Sequence, residues 1–175
     1  MSRASDRRDG GFSLAELIVY VALVAILLGV IVSTALSMGA VYRRSRTYLD
    51  INSAAVTAFS RFSRDIRRAS AIDLNDSVLA ATPGRLTLLM KRSDDTNDSV
   101  SYYVSDSKVK VDENGAYAGD VTQGDVAVFN LTFRKFASAS STAIRIEMTM
   151  APAASTSVPA LNFYGTYVLR GSYVR

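Results

Sequence analysis

The chain changes its pattern of polarity twice. Residues 1–11, MSRASDRRDGG, are polar and basic through Arg3, Arg7 and Arg8, and they give way at once to FSLAELIVYVALVAILLGVIVSTAL. The twenty residues from Leu17 to Leu36 carry no charge. As a helix they reach ~30 Å, the thickness of the hydrocarbon core of a bilayer. Beyond them, Tyr48, Asn52, Ala55, Phe59, Phe62, Ile66 and Ala69 recur at steps of four and three, one stripe of an amphipathic helix. Arg46, Asp50, Ser53, Thr57, Arg61, Arg64 and Arg68 repeat out of phase and predict the wet face. No Pro precedes Pro83 and no Gly lies between Gly39 and Gly84, so nothing stops the helix at a membrane surface. The pattern predicts one helix from about Ser13 to about Ile72, ~90 Å long.

After Asn75 and Asp76 the period falls to two. Leu86, Leu88 and Met90 alternate with Thr87 and Lys91; Ala127, Phe129, Leu131 and Phe133 with Val128, Asn130, Thr132 and Arg134; Ile144, Ile146, Met148 and Met150 with Arg145, Glu147 and Thr149. These read as half-buried strands. SVSYYVS precedes SKVKVDENGAY, in which Asn114-Gly115 is a hairpin signal, and a final strand is expected around Asn162 to Leu169. An antiparallel sheet needs cover for its apolar face, and the Phe59, Phe62 and Ile66 stripe is the amphipathic helix available to supply it. The fold class expected is α+β, a long N-terminal helix packed on a C-terminal antiparallel head.

Composition narrows the chemistry. The 175 residues allow one modest domain beside the apolar segment. Cysteine is absent, which excludes a disulfide framework, a thiolate metal site and a cysteine nucleophile. Histidine is absent too, removing the commonest general base and transition-metal ligand. No phosphate-binding loop, nucleophile elbow or zinc pattern occurs, so no enzyme, catalytic residue, metal or cofactor is expected. Two acidic loops, Asp94, Asp95, Asn97 and Asp98 and then Asp112, Glu113 and Asn114, lack the glycine and distal Glu of a calcium loop and read as turns. The Ser- and Thr-rich runs Ser138 to Thr142 and Ser155 to Ser157 read as loops. The net charge of +4 is mild. Arg61, Arg64, Arg67 and Arg68 are candidates for DNA phosphate contacts, but a solvated face with local pairs such as Arg61 with Asp65 explains them better. No aromatic residue lies on that stripe to stack bases.

Glu16 breaks the pattern, being the only charge between Asp9 and Arg43. A carboxylate at membrane depth costs ~3 kcal/mol at the centre and less near the edge, so it needs a partner; capping the first turn is the local alternative. Gly11, followed by Phe12, Ser13, Leu14, Ala15, Glu16 and an apolar helix, resembles the class III signal of type IV prepilins and pseudopilins. The resemblance implies that a prepilin peptidase cuts between Gly11 and Phe12 on the cytoplasmic side and methylates the new amine of Phe12. It further implies that the helix anchors the subunit in the inner membrane, head outside, until an assembly platform moves it into the core of a pilus or pseudopilus. The partners implied are sister pilins, the peptidase, the platform and the lipid bilayer. Pairing the Glu16 carboxylate with the Phe12 ammonium of a neighbour would relieve two buried charges and set the axial register.

The boundaries expected are a cleaved leader at 1–11, a membrane and filament-core helix at 12–40, and an amphipathic helix plus β head at 41–175. Members of the family often carry a Pro that kinks the apolar helix; this chain has none there, which implies a straighter rod. FSRFSRDIRRAS and the closing YVLRGSYVR resemble J-type minor pseudopilins and related minor pilins, and the lack of paired cysteines points the same way. Two other readings of the N-terminus stand beside this one. An ordinary secretory signal would end at the small residues Ala35 and Ser37, and a plain single-pass anchor would carry an extracytoplasmic binding or sensory domain.

Overall fold

A computed structural model describes residues 13–91, 97–138, 141–154 and 158–170. The chain forms two compact units, Met1–Arg43 and Arg44–Arg175. In the first, helix α1 (Leu14–Arg68) begins. Its apolar side chains are uncovered, from Leu14 at 77% exposure to Val24 at 45%. The serine and threonine hydroxyls in this stretch are satisfied locally. Ser33 and Thr34 both donate to the Val30 carbonyl at 2.9 and 2.8 Å, and Ser37 donates to Ser33 at 2.9 Å. The serine and threonine hydroxyls of the apolar stretch therefore do not depend on water.

The second unit holds the rest of α1 and two antiparallel sheets rather than the single sheet expected. The first is a meander of β1 (Ala71–Ile72), β2 (Leu86–Lys91), β3 (Asn97–Ser105), β4 (Lys108–Glu113) and β5 (Ala116–Asp120), in that order. The second orders β6 (Val126–Ala137), β7 (Thr142–Pro152) and β8 (Leu161–Val168). The split has a visible cause. The outer edge of β6 is closed by turns, not by a strand: Gly84 and Ala80 donate to the Leu131 and Phe133 carbonyls at 2.8 and 2.7 Å, and Val128 donates to Ser107 at 2.8 Å.

Helix α1 stops before Ile72. Ser70 turns the chain by giving both its backbone N–H and its hydroxyl to the Leu89 carbonyl, at 2.8 and 2.9 Å, and Ala71 and Ile72 then pair with Leu89 and Leu88. The buried stripe is also rotated from the one expected. Ile51, Ala54, Ala55, Ala58, Phe62 and Ile66 are buried, whereas Asn52 is exposed. An unpaired amide costs more to bury than an alanine gains, so the helix turns Asn52 to water and brings its alanines against the sheets.

Phe62 is the hub of the core. Fully buried, it makes edge-to-face contacts with Phe59, Tyr102 and Phe133 at centroid distances of 5.9, 4.9 and 6.1 Å. Gly165 of β8 faces Phe59 so closely that a Cβ there would lie 2.8 Å from two ring carbons. Leu86, Leu88, Leu131, Phe133, Ile144, Ile146, Met148 and Met150 point inward as expected. Phe129 does not. A bulge between Val128 and Asn130 puts Val128 opposite Met150 in the core and leaves Phe129 65% exposed. Asn114 and Gly115 form the anticipated β4–β5 turn, with φ of 52° and 79°. A second tight turn of the same kind, at Asp106 and Ser107 (φ 53° and 58°), joins β3 to β4 without any glycine to announce it.

Candidate processing and assembly site

Gly11 and Phe12 lie outside the described residues, as do Asp94, Asp95 and Ser155 to Ser157. The site can be followed from Ser13. Its hydroxyl accepts the Glu16 N–H at 3.2 Å and its carbonyl accepts the Leu17 N–H at 3.1 Å, so Ser13 caps the helix that opens at Leu14. Ser13-x-x-Glu16 has the spacing of a capping box, and its acidic residue also suits the positive end of the helix dipole. This cap is a feature the Glu16 position carries in addition to any pairing between subunits. It was legible in the Ser three residues before the Glu. Glu16 itself is exposed on the first turn, beside Leu17, Tyr20 and Val21.

One further pattern in the apolar helix escaped notice in the alternation of hydrophobic residues. Ala25, Gly29, Ser33 and Ser37 recur every fourth residue along one line of α1. A Cβ on Gly29 would meet nothing within 4 Å in this chain. Such a line of small side chains lets a second helix approach closely.

In the second unit, the four arginines considered for phosphate contact do not share a common acid-free face. Arg61 is held by Glu113 at 3.0 Å and lies 3.8 Å from Asp65, the local pair expected. Arg61, Arg64 and Arg68 line a groove of about 720 Å³, but so do Asp65, Asp98 and Glu113. Arg67 instead acts electrostatically on Tyr167, opposing the rise in its pKa that burial causes. The interleaved carboxylates offset the positive charge that a nucleic-acid backbone would meet there. Asp65 also accepts a hydrogen bond from Tyr102. Burial, foremost, and that bond hold the Tyr102 phenol well above the usual tyrosine range.

The acidic turn residues are spoken for by the fold. Asp112 accepts from Tyr103 at 2.9 Å and lies 3.7 Å from Arg85, and Asn114 bonds Ser99 and Asp98 at 2.8 and 3.2 Å. Among the described residues no group of three or more acidic side chains is placed to hold a metal ion.

Against this geometry, the family model for the prokaryotic N-terminal methylation motif matches residues 6–32, which include Gly11, Phe12, the Ser13 cap and Glu16. No curated protein and no solved structure matches the chain. The motif supports a type IV prepilin-like family. The long apolar helix followed by antiparallel sheets is an α+β, pilin-like architecture. Together they support a membrane-anchored, pilin-like precursor that prepilin peptidase processes, of the kind that serves as a structural subunit.

Proposed function

We propose that the chain is a minor pilin or pseudopilin, most like the J-type, that works by assembling with sister subunits into a type IV pilus or secretion pseudopilus. In this reading residues 1–11 are removed between Gly11 and Phe12, and residues 12–40 cross the inner membrane with the N-terminus in the cytoplasm. Residues 41–175 then form the extracytoplasmic head. The observation that carries it is the methylation motif at residues 6–32 continuing into a helix whose apolar side chains have no cover in their own chain. Lipid covers such a surface before assembly and neighbouring helices cover it afterwards, the Ala25–Gly29–Ser33–Ser37 line offering close approach. Glu16 sets the register by accepting the methylated Phe12 ammonium of a neighbour, since either charge alone is costly in an apolar bundle.

N-terminal sequencing of the mature chain from cells with and without prepilin peptidase tests the processing. A methylated Phe12 start that disappears with the peptidase is the expected result; an intact Met1 or Ser2, or a start after Ser37, refutes it. Glu16→Ala should leave cleavage intact and depress incorporation into sheared filaments. Normal incorporation of that variant removes the register role.

A further inference from the structure

Strand β8 forms an open sheet edge, and its chemistry differs from that of every other sheet edge among the described residues. The first sheet ends in β1, only two residues long, and in β5, which pairs irregularly and carries Gly119 and Asp120. The outer edge of β6 is closed by the Gly84, Ala80 and Val128 hydrogen bonds. Strand β8 runs eight residues, LNFYGTYV, in unbroken register with β7 and without a charge or a proline. Long, regular, uncharged edges are what soluble proteins ordinarily avoid, because they template pairing with another chain.

Its phase can be derived. Leu169 donates to the Thr142 carbonyl at 2.9 Å, so Leu169 belongs to a hydrogen-bonded pair with β7. In an antiparallel ladder such pairs alternate, so Leu161, Phe163, Gly165 and Tyr167 spend their backbone groups on β7. Asn162, Tyr164, Thr166 and Val168 therefore aim N–H and C=O away from the sheet, and their side chains are exposed as well. Tyr164 is 61% exposed and is steadied by Arg145, whose guanidinium carbon lies 5.4 Å from the ring centroid.

We propose that β8 pairs antiparallel with β8 of a second copy of this chain, with Thr166 on the two-fold axis. A two-fold pairing must place residues of like phase opposite one another, and the Thr166 register does so with compatible side chains on the outer face. Thr166 meets Thr166, and Tyr164 meets the second copy's Val168 on the outer face, an aromatic with a β-branched residue. On the inner face Gly165 lies opposite the second copy's Tyr167; its own face is already covered by Phe59 and Tyr167 of the same chain, so this position adds no steric conflict from a glycine side chain and no new ring contact. Three hydrogen-bonded pairs, centred on Thr166, join the two sheets into one of six strands. No charge on either edge opposes the contact. The pairing involves only the Arg44–Arg175 unit and stands apart from N-terminal processing.

The chain has no native cysteine, so single-cysteine variants of the full chain report cleanly in native membranes or detergent. Paired Cα atoms across a hydrogen-bonded pair sit ~5.5 Å apart, within disulfide range. Thr166→Cys should give a covalent dimer on mild oxidation. Asn162→Cys, on the same edge but separated from its copy by ~27 Å along the strands, should crosslink at least tenfold less. Equal crosslinking at the two positions overturns the proposal. So does a Thr166→Cys chain that stays monomeric or joins only a different protein. As a second measure, Thr166→Glu places like charges opposite each other across the axis while its own cross-strand neighbour, Arg145, carries the opposite charge. It should leave the thermal melt of the head unchanged and weaken the dimer at least tenfold by sedimentation. A dimer that persists undiminished refutes the assigned register.

Discussion

Replacing Phe62 by alanine probes the core at its most connected point. The ring is fully buried and meets three other rings edge-to-face. Loss of its transfer free energy accounts for about 2 kcal/mol. The cavity left between a helix and two sheets that cannot both collapse inward raises the loss to about 4 kcal/mol, within the span usual for Phe→Ala in cores. The Arg44–Arg175 unit has about 130 residues. At ~2.1 cal/mol/K of unfolding entropy per residue its midpoint should fall by about 15 °C. Near-UV circular dichroism of the full chain in detergent micelles is the suitable assay. With no Trp in the chain the signal comes from tyrosine and phenylalanine, while the membrane helix, which would dominate the far-UV, contributes little. Phe62→Leu, which keeps much of the volume, should cost about a third as much. A Phe62→Ala midpoint within about 4 °C of the parent would mean that the ring does not hold helix and sheets together.

Three further outcomes are expected. Gly165→Ala should cost about 1–3 kcal/mol in a thermal or urea melt, because its Cβ would press on the Phe59 ring at 2.8 Å; in a Phe59→Ala background most of that cost should vanish. Gly115→Ala should lower the unfolding free energy by about 1 kcal/mol, read as a lower urea midpoint with an unchanged slope, since space is open there and only the φ of 79° resists a side chain. The raised Tyr102 pKa has a sign that can be worked out: the unfolded phenol ionises near 10.0 while the buried one stays protonated. Stability should therefore be intact below that pH and decline as pH rises above it toward the folded value. Tyr102→Phe should remove part of the decline in urea titrations between about pH 9 and 11.5, the rest belonging to Tyr103, Tyr117, Tyr167 and Lys110, whose pKa values are also raised; an unaltered decline refutes the assignment.

What could be read from the residues alone follows from which forces act locally. The abrupt start of the apolar helix, the alternation in β7 and the Asn114–Gly115 turn each depend on neighbours within a few positions, and all are found where the pattern puts them. The Arg61–Asp65 pair is likewise a one-turn contact. The failures share a dependence on distant partners. Nothing near Asn52 reveals that Ile51 and the alanines will turn inward instead, because that choice is made by the sheets. Phe129 looks like a core residue until the bulge opposite Met150 expels it. Ala71 and Ile72 fit a helix by propensity and become a strand only because the Leu89 carbonyl captures Ser70. The Ser13 cap was visible at its three-residue spacing from Glu16, but the charge of Glu16 drew the reading toward a partner in another chain.

The seat of Phe59 against Gly165 ties the opening element of the head to its closing one. Both sheets are built from successive neighbours, so hairpins such as β4–β5 and β6–β7 can form as soon as their own residues are free to pair. The helix, although made first, must wait with Phe59 uncovered until the last strand arrives. A ribosome that stops short of Leu161 thus releases a chain with its secondary structure largely in place and a greasy ring on display, the kind of defect that quality-control proteases recognise.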